Sequence, residues 1–239
     1  MGPRTNQAET AVILSGGEGV RLRPITSDLP KGLVRVGGKP LLQWVVEWLR
    51  ENGVSNIVIG VAYLKDEIME FLGDGSQFGV RIRYSVHSVE GGTGEGFRLA
   101  ISRFVKDEIF VALNGDQITD LRLSPMIEDL EKNDALATIA VVHPRLPFGQ
   151  LFVGKNGYCE GFSEKPILKD VFISSGIYVF NKEILKYLPT HGDVEKTTFP
   201  QLTQLKRLRA YRHDGSFLTV NSLRELDEAE EQLRRQGNK

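Results

Sequence analysis

Ser15-Gly-Gly-Glu-Gly-Val-Arg-Leu-Arg-Pro-Ile-Thr-Ser-Asp-Leu-Pro-Lys31 follows directly on the apolar run Ala11–Ser15. A short apolar run that ends in glycines reads as a buried strand entering a tight loop. Gly16, Gly17 and Gly19 fall within four positions, so backbone N–H groups can come close to phosphate oxygens. Arg21 adds a planar donor fork, and Lys31, between Pro30 and Gly32, adds a point charge. Two familiar phosphate loops are excluded. No Gly-Lys-Ser/Thr follows at P-loop spacing, and Leu22 stands where a dinucleotide fingerprint needs its third glycine. Pro24 and Pro30 also oppose an α-helix directly after the glycines.

Outward from this loop, strand and helix signals alternate. Pro40–Glu51 carries apolar residues at helical spacing, with Pro40 able to open the helix and Gly53 to end it. Asn56–Ala62 is β-rich, Lys65–Leu72 is helical, and Val80–Val86 alternates like a strand. Gly94–Phe104 reads as a helix, and Ile109–Leu113 as a buried strand ending at Asn114-Gly-Asp116. This alternation points to an α/β domain with a mostly parallel sheet, whose ligands sit beyond the carboxyl ends of its strands. Both glycine-bearing loops, 15–19 and 114–116, fall at such ends.

The second half is richer in strands. Ala135–His143 and Phe172–Phe180 are apolar strands, and Lys155-Asn-Gly157 marks a hairpin between Gln150–Val153 and Tyr158–Ser163. Arg207–Arg212 and Phe217–Val220 read as late strands, and Leu223–Arg235 as an amphipathic helix. A partly mixed sheet follows from these additions.

Composition narrows the function classes. A net charge of -1 over 239 residues gives no global field for nucleic acid or an anionic membrane. An anionic ligand must therefore be held by local cations and amides. The single cysteine, Cys159, rules out an intrachain disulfide and a cysteine-rich zinc site, and fits a cytoplasmic location. The four histidines lack metal-ligand spacing and read as surface or structural residues. Residues 1–9 read as a flexible tail without a signal peptide, and no window is apolar enough to span a membrane.

The arrangement resembles the signature of the sugar-1-phosphate nucleotidyltransferase family. That signature is Gly-Gly-x-Gly-x-Arg-Leu, then Pro-x-Thr, then Pro-Lys after a first strand. It is met by Gly16, Gly17, Gly19, Arg21, Leu22, Pro24, Thr26, Pro30 and Lys31, with Val20 in place of the usual Thr. Gly91-Gly-Thr-Gly-Glu-Gly96 is similar to the family's base-contacting loop, which implicates Gly92 and Thr93. Asn114-Gly115-Asp116 matches its Asn-Gly-Asp, whose Asp is a magnesium ligand. Gly149 corresponds to a glycine near the sugar. Glu164-Lys165-Pro166 matches the family's Glu-Lys-Pro, which implies sugar hydroxyl binding by Glu164 and sugar phosphate binding by Lys165. Ser174-Ser175-Gly-Ile-Tyr-Val-Phe180 resembles Asn-Ala-Gly-Ile-Tyr-Val-Phe, with Ser174 replacing an amide.

The resemblance implies a Rossmann-like nucleotidyltransferase fold with a sugar-binding lobe. Residues 10–239 would form one domain, with 10–120 the nucleotide half and 121–239 the sugar-phosphate half. It also implies Mg²⁺ as cofactor and a nucleoside triphosphate and a sugar 1-phosphate as partners, with Arg21, Lys31 and Lys165 catalytic. The Thr-Gly form of the base loop favours GTP with mannose or heptose 1-phosphate. Uridylyl or thymidylyl transfer to glucose 1-phosphate is the alternative, as is a regulatory subunit that binds NDP-sugar without turning it over. Homo-oligomerisation stays open, dimers being the commonest assembly. One departure stands out: the family's second metal-binding Asp is Thr219 here. Asn221, two residues on and expected on the same strand face, is the candidate replacement oxygen ligand.

Overall fold

The computed structural model describes residues 8–237. Along the chain run β1 (Thr10–Ser15), β2 (Arg35–Val36), β3 (Lys39–Pro40), α1 (Leu41–Glu51), β4 (Asn56–Val61), α2 (Lys65–Leu72), β5 (Arg81–Val86), α3 (Gly92–Phe104), β6 (Ile109–Asn114) and β7 (Gln117–Thr119). There follow α4 (Leu123–Lys132), β8 (Ala137–Val142), β9 (Gln150–Val153), β10 (Cys159–Ser163), β11 (Ile173–Asn181), α5 (Thr198–Gln204), β12 (Leu208–Arg212), β13 (Phe217–Thr219) and α6 (Leu223–Gly237). The expected helices and strands appear with boundaries shifted by a residue or two. The elements without a counterpart among these expectations are the short strands β2, β3 and β7 and the helices α4 and α5.

Seven strands form the central sheet in the order β12-β8-β11-β6-β1-β4-β5. All pairs are parallel except those made by β11, which runs antiparallel to both β6 and β8. The partly mixed sheet is thus an otherwise parallel sheet with one reversed strand inside it. The chain winds from β1 outward to β4 and β5, then returns to β6 on the other side of β1. The crevice beyond the ends of β1 and β6 is therefore a topological switch point, where ligands of open α/β sheets bind.

The period of two in β1 explains the layering. Ala11 and Ile13 face a core made with α1, α2 and α4, while Val12 and Leu14 face a second core made with α3 and α5. A sheet covered on both faces needs continuous apolar strands, which is what β1, β4 and β6 supply. A third, smaller cluster joins Leu22, Val34, Val36 and Leu41 to Val220 and to Ala229 of α6. It packs the C-terminal segment against the chain that follows the glycine loop.

Of the expected tail over residues 1–9, residues 1–7 lie outside the described part. Ala8 is buried, and the Glu9 carbonyl accepts the N–H groups of Ser55 and Asn56, so these two residues belong to the fold. The β9–β10 hairpin forms as expected around Asn156-Gly157. No helix among the described residues is long and apolar enough to cross a membrane.

Candidate active site

The glycine loop leaves β1 and tightens at once into a short 3-10 turn, Val20–Leu22. Gly19 enters it with φ of 63°, and its carbonyl accepts both the Leu22 N–H and the Thr26 hydroxyl, each at 2.8 Å. Thr26 is fully buried, so this bond staples the loop into shape. Leu22 is buried in the third cluster, while Arg21 beside it stays exposed. Burying one residue of the turn aims its neighbour outward.

Four residues from three distant parts of the chain then meet. Lys31 Nζ lies 2.5 Å from Asp116 Oδ2 and 2.7 Å from Asn221 Oδ1. Arg21 donates to the same Asn221 oxygen at 3.4 Å. Asp116 follows β6, and the Gly115 N–H donates to the Leu14 carbonyl at 2.9 Å, which ties its loop to the end of β1. Lys31 and Asp116 are each 19% exposed, so their attraction is less screened than on an open surface.

Asn221 reaches this cluster differently from the expectation. β13 ends at Thr219, and Asn221 lies in the bend beyond it rather than on the same strand face. Val220 between them is fully buried in the third cluster. Burying that side chain stabilises by roughly 1.5–3 kcal/mol, and it anchors the bend beside the glycine loop. Thr219 points its hydroxyl to Glu225 Oε2 at 3.3 Å.

A cavity of about 340 Å³ opens beside the cluster. Ser15, Gly16, Gly17, Lys31, Asn114, Gly115 and Asp116 line it together with Gly92 and Thr93. Gly92 and Thr93 form the first turn of α3, not a loop before it. His87, Val89 and Asp193 also line the cavity and had not been expected there. The His87 ring packs so closely on Gly16 that a Cβ at Gly16 would lie 2.7 Å from it. Nothing in the spacing of a lone histidine signals such a place.

The start of α3 is held by the segment 191–195. The Thr93 hydroxyl donates to Glu195 Oε2 at 2.8 Å and accepts the Val194 N–H at 3.0 Å. Tyr178 donates to the other Glu195 oxygen at 3.3 Å. Burial, with the Glu195 charge adding, pushes the Tyr178 hydroxyl well above its usual range, so it stays a donor. The bond from Lys196 holds the Asp193 carboxyl below the usual range, against a smaller opposing effect of burial. Asp193 is therefore an anion at the cavity wall.

The sugar-side residues stand apart from the cavity. Gly149 sits where a Cβ would lie 2.5 Å from Phe162 and 3.1 Å from Glu164 Oε2, which brings Glu164 beside it on the hairpin lobe. Lys165 adopts φ of 44°, and its carbonyl accepts from Arg145 at 3.2 Å. Among the described residues, neither the Glu164 nor the Lys165 side chain hydrogen-bonds to the Lys31–Asp116–Asn221 cluster. Ser174 and Ser175 accept the N–H groups of Gly176 and Ile177 at an irregularity in β11. Gly176 itself presses on Asn114 and on the buried Gln117. Gln117 is thus pressed against β11 beside Asn114, and no motif pointed to it.

The donor set suits a hard cation shared with phosphates. Asp116 and Asn221 already turn oxygens onto one positive centre, the Lys31 ammonium. No group of three or more His, Cys, Asp or Glu among the described residues forms a closed metal cage. One carboxylate plus neutral oxygens, completed by substrate phosphates, is the usual arrangement for Mg²⁺.

Comparison with known proteins identifies the family. The family described as nucleotidyl transferase matches residues 10–219. A UTP–glucose-1-phosphate uridylyltransferase of Synechocystis is 33% identical over 214 residues, covering 80% of this chain and 54% of the relative. A mannose-1-phosphate guanyltransferase of Yarrowia lipolytica is 36% identical over 219 residues, covering 87% and 60%. A D-glycero-alpha-D-manno-heptose 1-phosphate guanylyltransferase of Campylobacter jejuni is 31% identical over 202 residues, covering 84% and 88%. The chain thus spans little more than half the length of the first two. The crystal structure of a putative glucose-1-phosphate thymidylyltransferase from Bacillus anthracis shares the fold with a TM-score of 0.75 at 24% identity, covering 94% of this chain and 95% of that one. With its glycine loop, its switch-point crevice and these matches, the chain belongs to the nucleotidyl transferase family.

Proposed function

We propose that this protein transfers a nucleotidyl group from a nucleoside triphosphate to a sugar 1-phosphate, releasing pyrophosphate and an NDP-sugar. The observation that carries this reading is the meeting of Arg21, Lys31, Asp116 and Asn221 beside the glycine loop and its cavity. In the reaction a phosphate oxygen of the sugar 1-phosphate attacks the α-phosphorus. The new P–O bond forms as the bond from the α-phosphorus to the bridging oxygen breaks, and pyrophosphate carries away that electron pair. The nucleophile is already anionic, so no general base is required. Catalysis then rests on positioning and charge neutralisation.

In this reading the loop amides at Gly16, Gly17 and Gly19 bind the triphosphate, and Arg21 stabilises the departing pyrophosphate. Asn114 and Gly115 shape the cavity, and Gly92 and Thr93 take the base. Lys31 exchanges its bond to Asp116 for a substrate phosphate. Asp116 and Asn221 would hold Mg²⁺, which when bound supplies further neutralisation of phosphate charge. On the hairpin lobe, Gly149, Glu164 and Ser174 orient the sugar, and Lys165 holds its phosphate.

For the substrates, GTP with mannose or heptose 1-phosphate is the preferred pair. The Gly92-Thr93 turn and the guanylyltransferase names of the Yarrowia and Campylobacter relatives support it. A net charge of -1 and the single cysteine support a cytoplasmic protein that binds no nucleic acid. The test combines Mg²⁺, each NTP and a panel of sugar 1-phosphates, with pyrophosphate release as readout. Release with UTP or dTTP and glucose 1-phosphate would replace the guanylyl assignment. No release with any pair, together with NDP-sugar binding by calorimetry, would make the protein a non-catalytic binder, the reading that Thr219 favours.

A further inference from the structure

Glu225 stands in the first turn of α6 and belongs to none of the motifs above. Its Oε2 accepts the Asn221 backbone N–H at 2.8 Å and the Thr219 hydroxyl at 3.3 Å. Its own N–H donates to the Ser222 hydroxyl at 3.3 Å. A Ser followed three residues later by Glu is the pattern of a helix capping box, in which the acid normally returns to the N–H of the capping Ser. Here the carboxylate reaches one residue further back, to Asn221, and also takes the side chain of Thr219. These are the residue that meets Lys31 and the last residue of β13.

We propose that Glu225 is a positioning residue for the phosphate site, holding Asn221 so that its amide oxygen meets Lys31 and Arg21. Thr219 is part of the same device. A hydroxyl at 219 can donate to Glu225, whereas a carboxylate there would repel it. The negative charge of this segment thus sits at Glu225, behind Asn221. The oxygen the segment presents to the substrate comes from Asn221. The inference rests on the transfer reading for what the site binds, but the contacts that position Asn221 stand independently of it.

The experiment is a double-mutant cycle read by equilibrium binding of GTP, UTP and dTTP with Mg²⁺ and no sugar phosphate, so that turnover is not needed. Glu225→Ala should weaken binding of the preferred triphosphate by roughly tenfold, as expected when a charged hydrogen-bond partner is lost. In an Asn221→Ala background the same change should add almost nothing. Glu225→Gln keeps an acceptor oxygen and should recover part of the loss, and it serves as the main variant if Glu225→Ala does not fold. A role in capping alone predicts a lower Tm with unchanged binding, and that result overturns the proposal. So does equal weakening in both backgrounds. Hydrogen–deuterium exchange of residues 219–222 gives a second readout that needs no nucleotide. Faster exchange in Glu225→Ala is expected, and unchanged exchange sinks the positioning role. If the wild-type protein binds no triphosphate, the transfer reading fails, while the exchange data still decide whether Glu225 holds the Asn221 segment.

Discussion

Gly176 offers a test of how tightly the site is built. Its φ is 75°, and a Cβ there would lie 2.5 Å from Gln117 Nε2 and 2.8 Å from Asn114 Nδ2. Gly176→Ala therefore meets two costs. Holding an L-residue in the left-handed region costs about 1–2 kcal/mol. Forcing a methyl against packed side chains adds roughly 1–3 kcal/mol, toward the lower end here because both contacts are side-chain ends. The expected destabilisation is about 2–4 kcal/mol, which in a domain of this size lowers Tm by roughly 5–15 °C. Gly157→Ala separates the two costs, because Gly157 has φ of 83° with nothing within 4 Å of a Cβ. It should lose only about 1–2 kcal/mol. The assay is thermal and urea unfolding of both variants, followed by triphosphate binding. Asn114 and Gln117 flank Asp116 in sequence, so Gly176→Ala should also weaken binding. If Gly176→Ala is no less stable than Gly157→Ala, the close approach across the site is wrong.

Arg21→Ala should cut pyrophosphate release by roughly 100-fold or more. Its Tm should barely move, since Arg21 is exposed and makes one long bond to Asn221. Placing a carboxylate at 219 by Thr219→Asp should destabilise the protein, because the new charge faces Glu225, whose Oε2 is 3.3 Å from the present hydroxyl. Adding Glu225→Gln should relieve that loss in a thermal melt, and failure to do so would contradict the matched pair. At high pH, burial pushes Tyr84 up to about 12, with the Asp74 charge adding. The folded state thus favours the neutral phenol, which donates to the Gly73 carbonyl at 2.7 Å. Its stabilisation should be complete below the unfolded value of about 10 and lost as pH rises through the folded one. Ultraviolet titration should show late-ionising tyrosines, and Tyr84→Phe should remove the step at about 12 while Tyr178, pushed up further by its burial, still resists ionisation.

Much of this arrangement is legible in the residues alone. The strand into the glycine loop, and the Asn114-Gly-Asp116 turn after β6, can be read because strand period and turn chemistry are local. Leu123, Met126, Ile127 and Leu130 also carry helical spacing, yet α4 escaped reading, with Pro125 inside its first turn. The residues that sequence placed least well are those whose role is made by packing. His87 reaches the cavity wall through its fit against Gly16, and Glu195 reaches Thr93 across about half the chain.

By itself, then, the sequence determined the glycine loop and the parallel core, since each follows from side-chain period and backbone freedom within short segments, and its motifs carried the resemblance to the family. The tertiary structure decided how the site is completed. Asn221 stands 190 residues from Lys31, and no local rule joins them. Burial of Val220 beside Leu22 and Val34 brings the segment in, and Glu225 sets its direction. That step depends on which apolar surfaces meet when the C-terminal helix packs on the loop, a property of the folded chain as a whole.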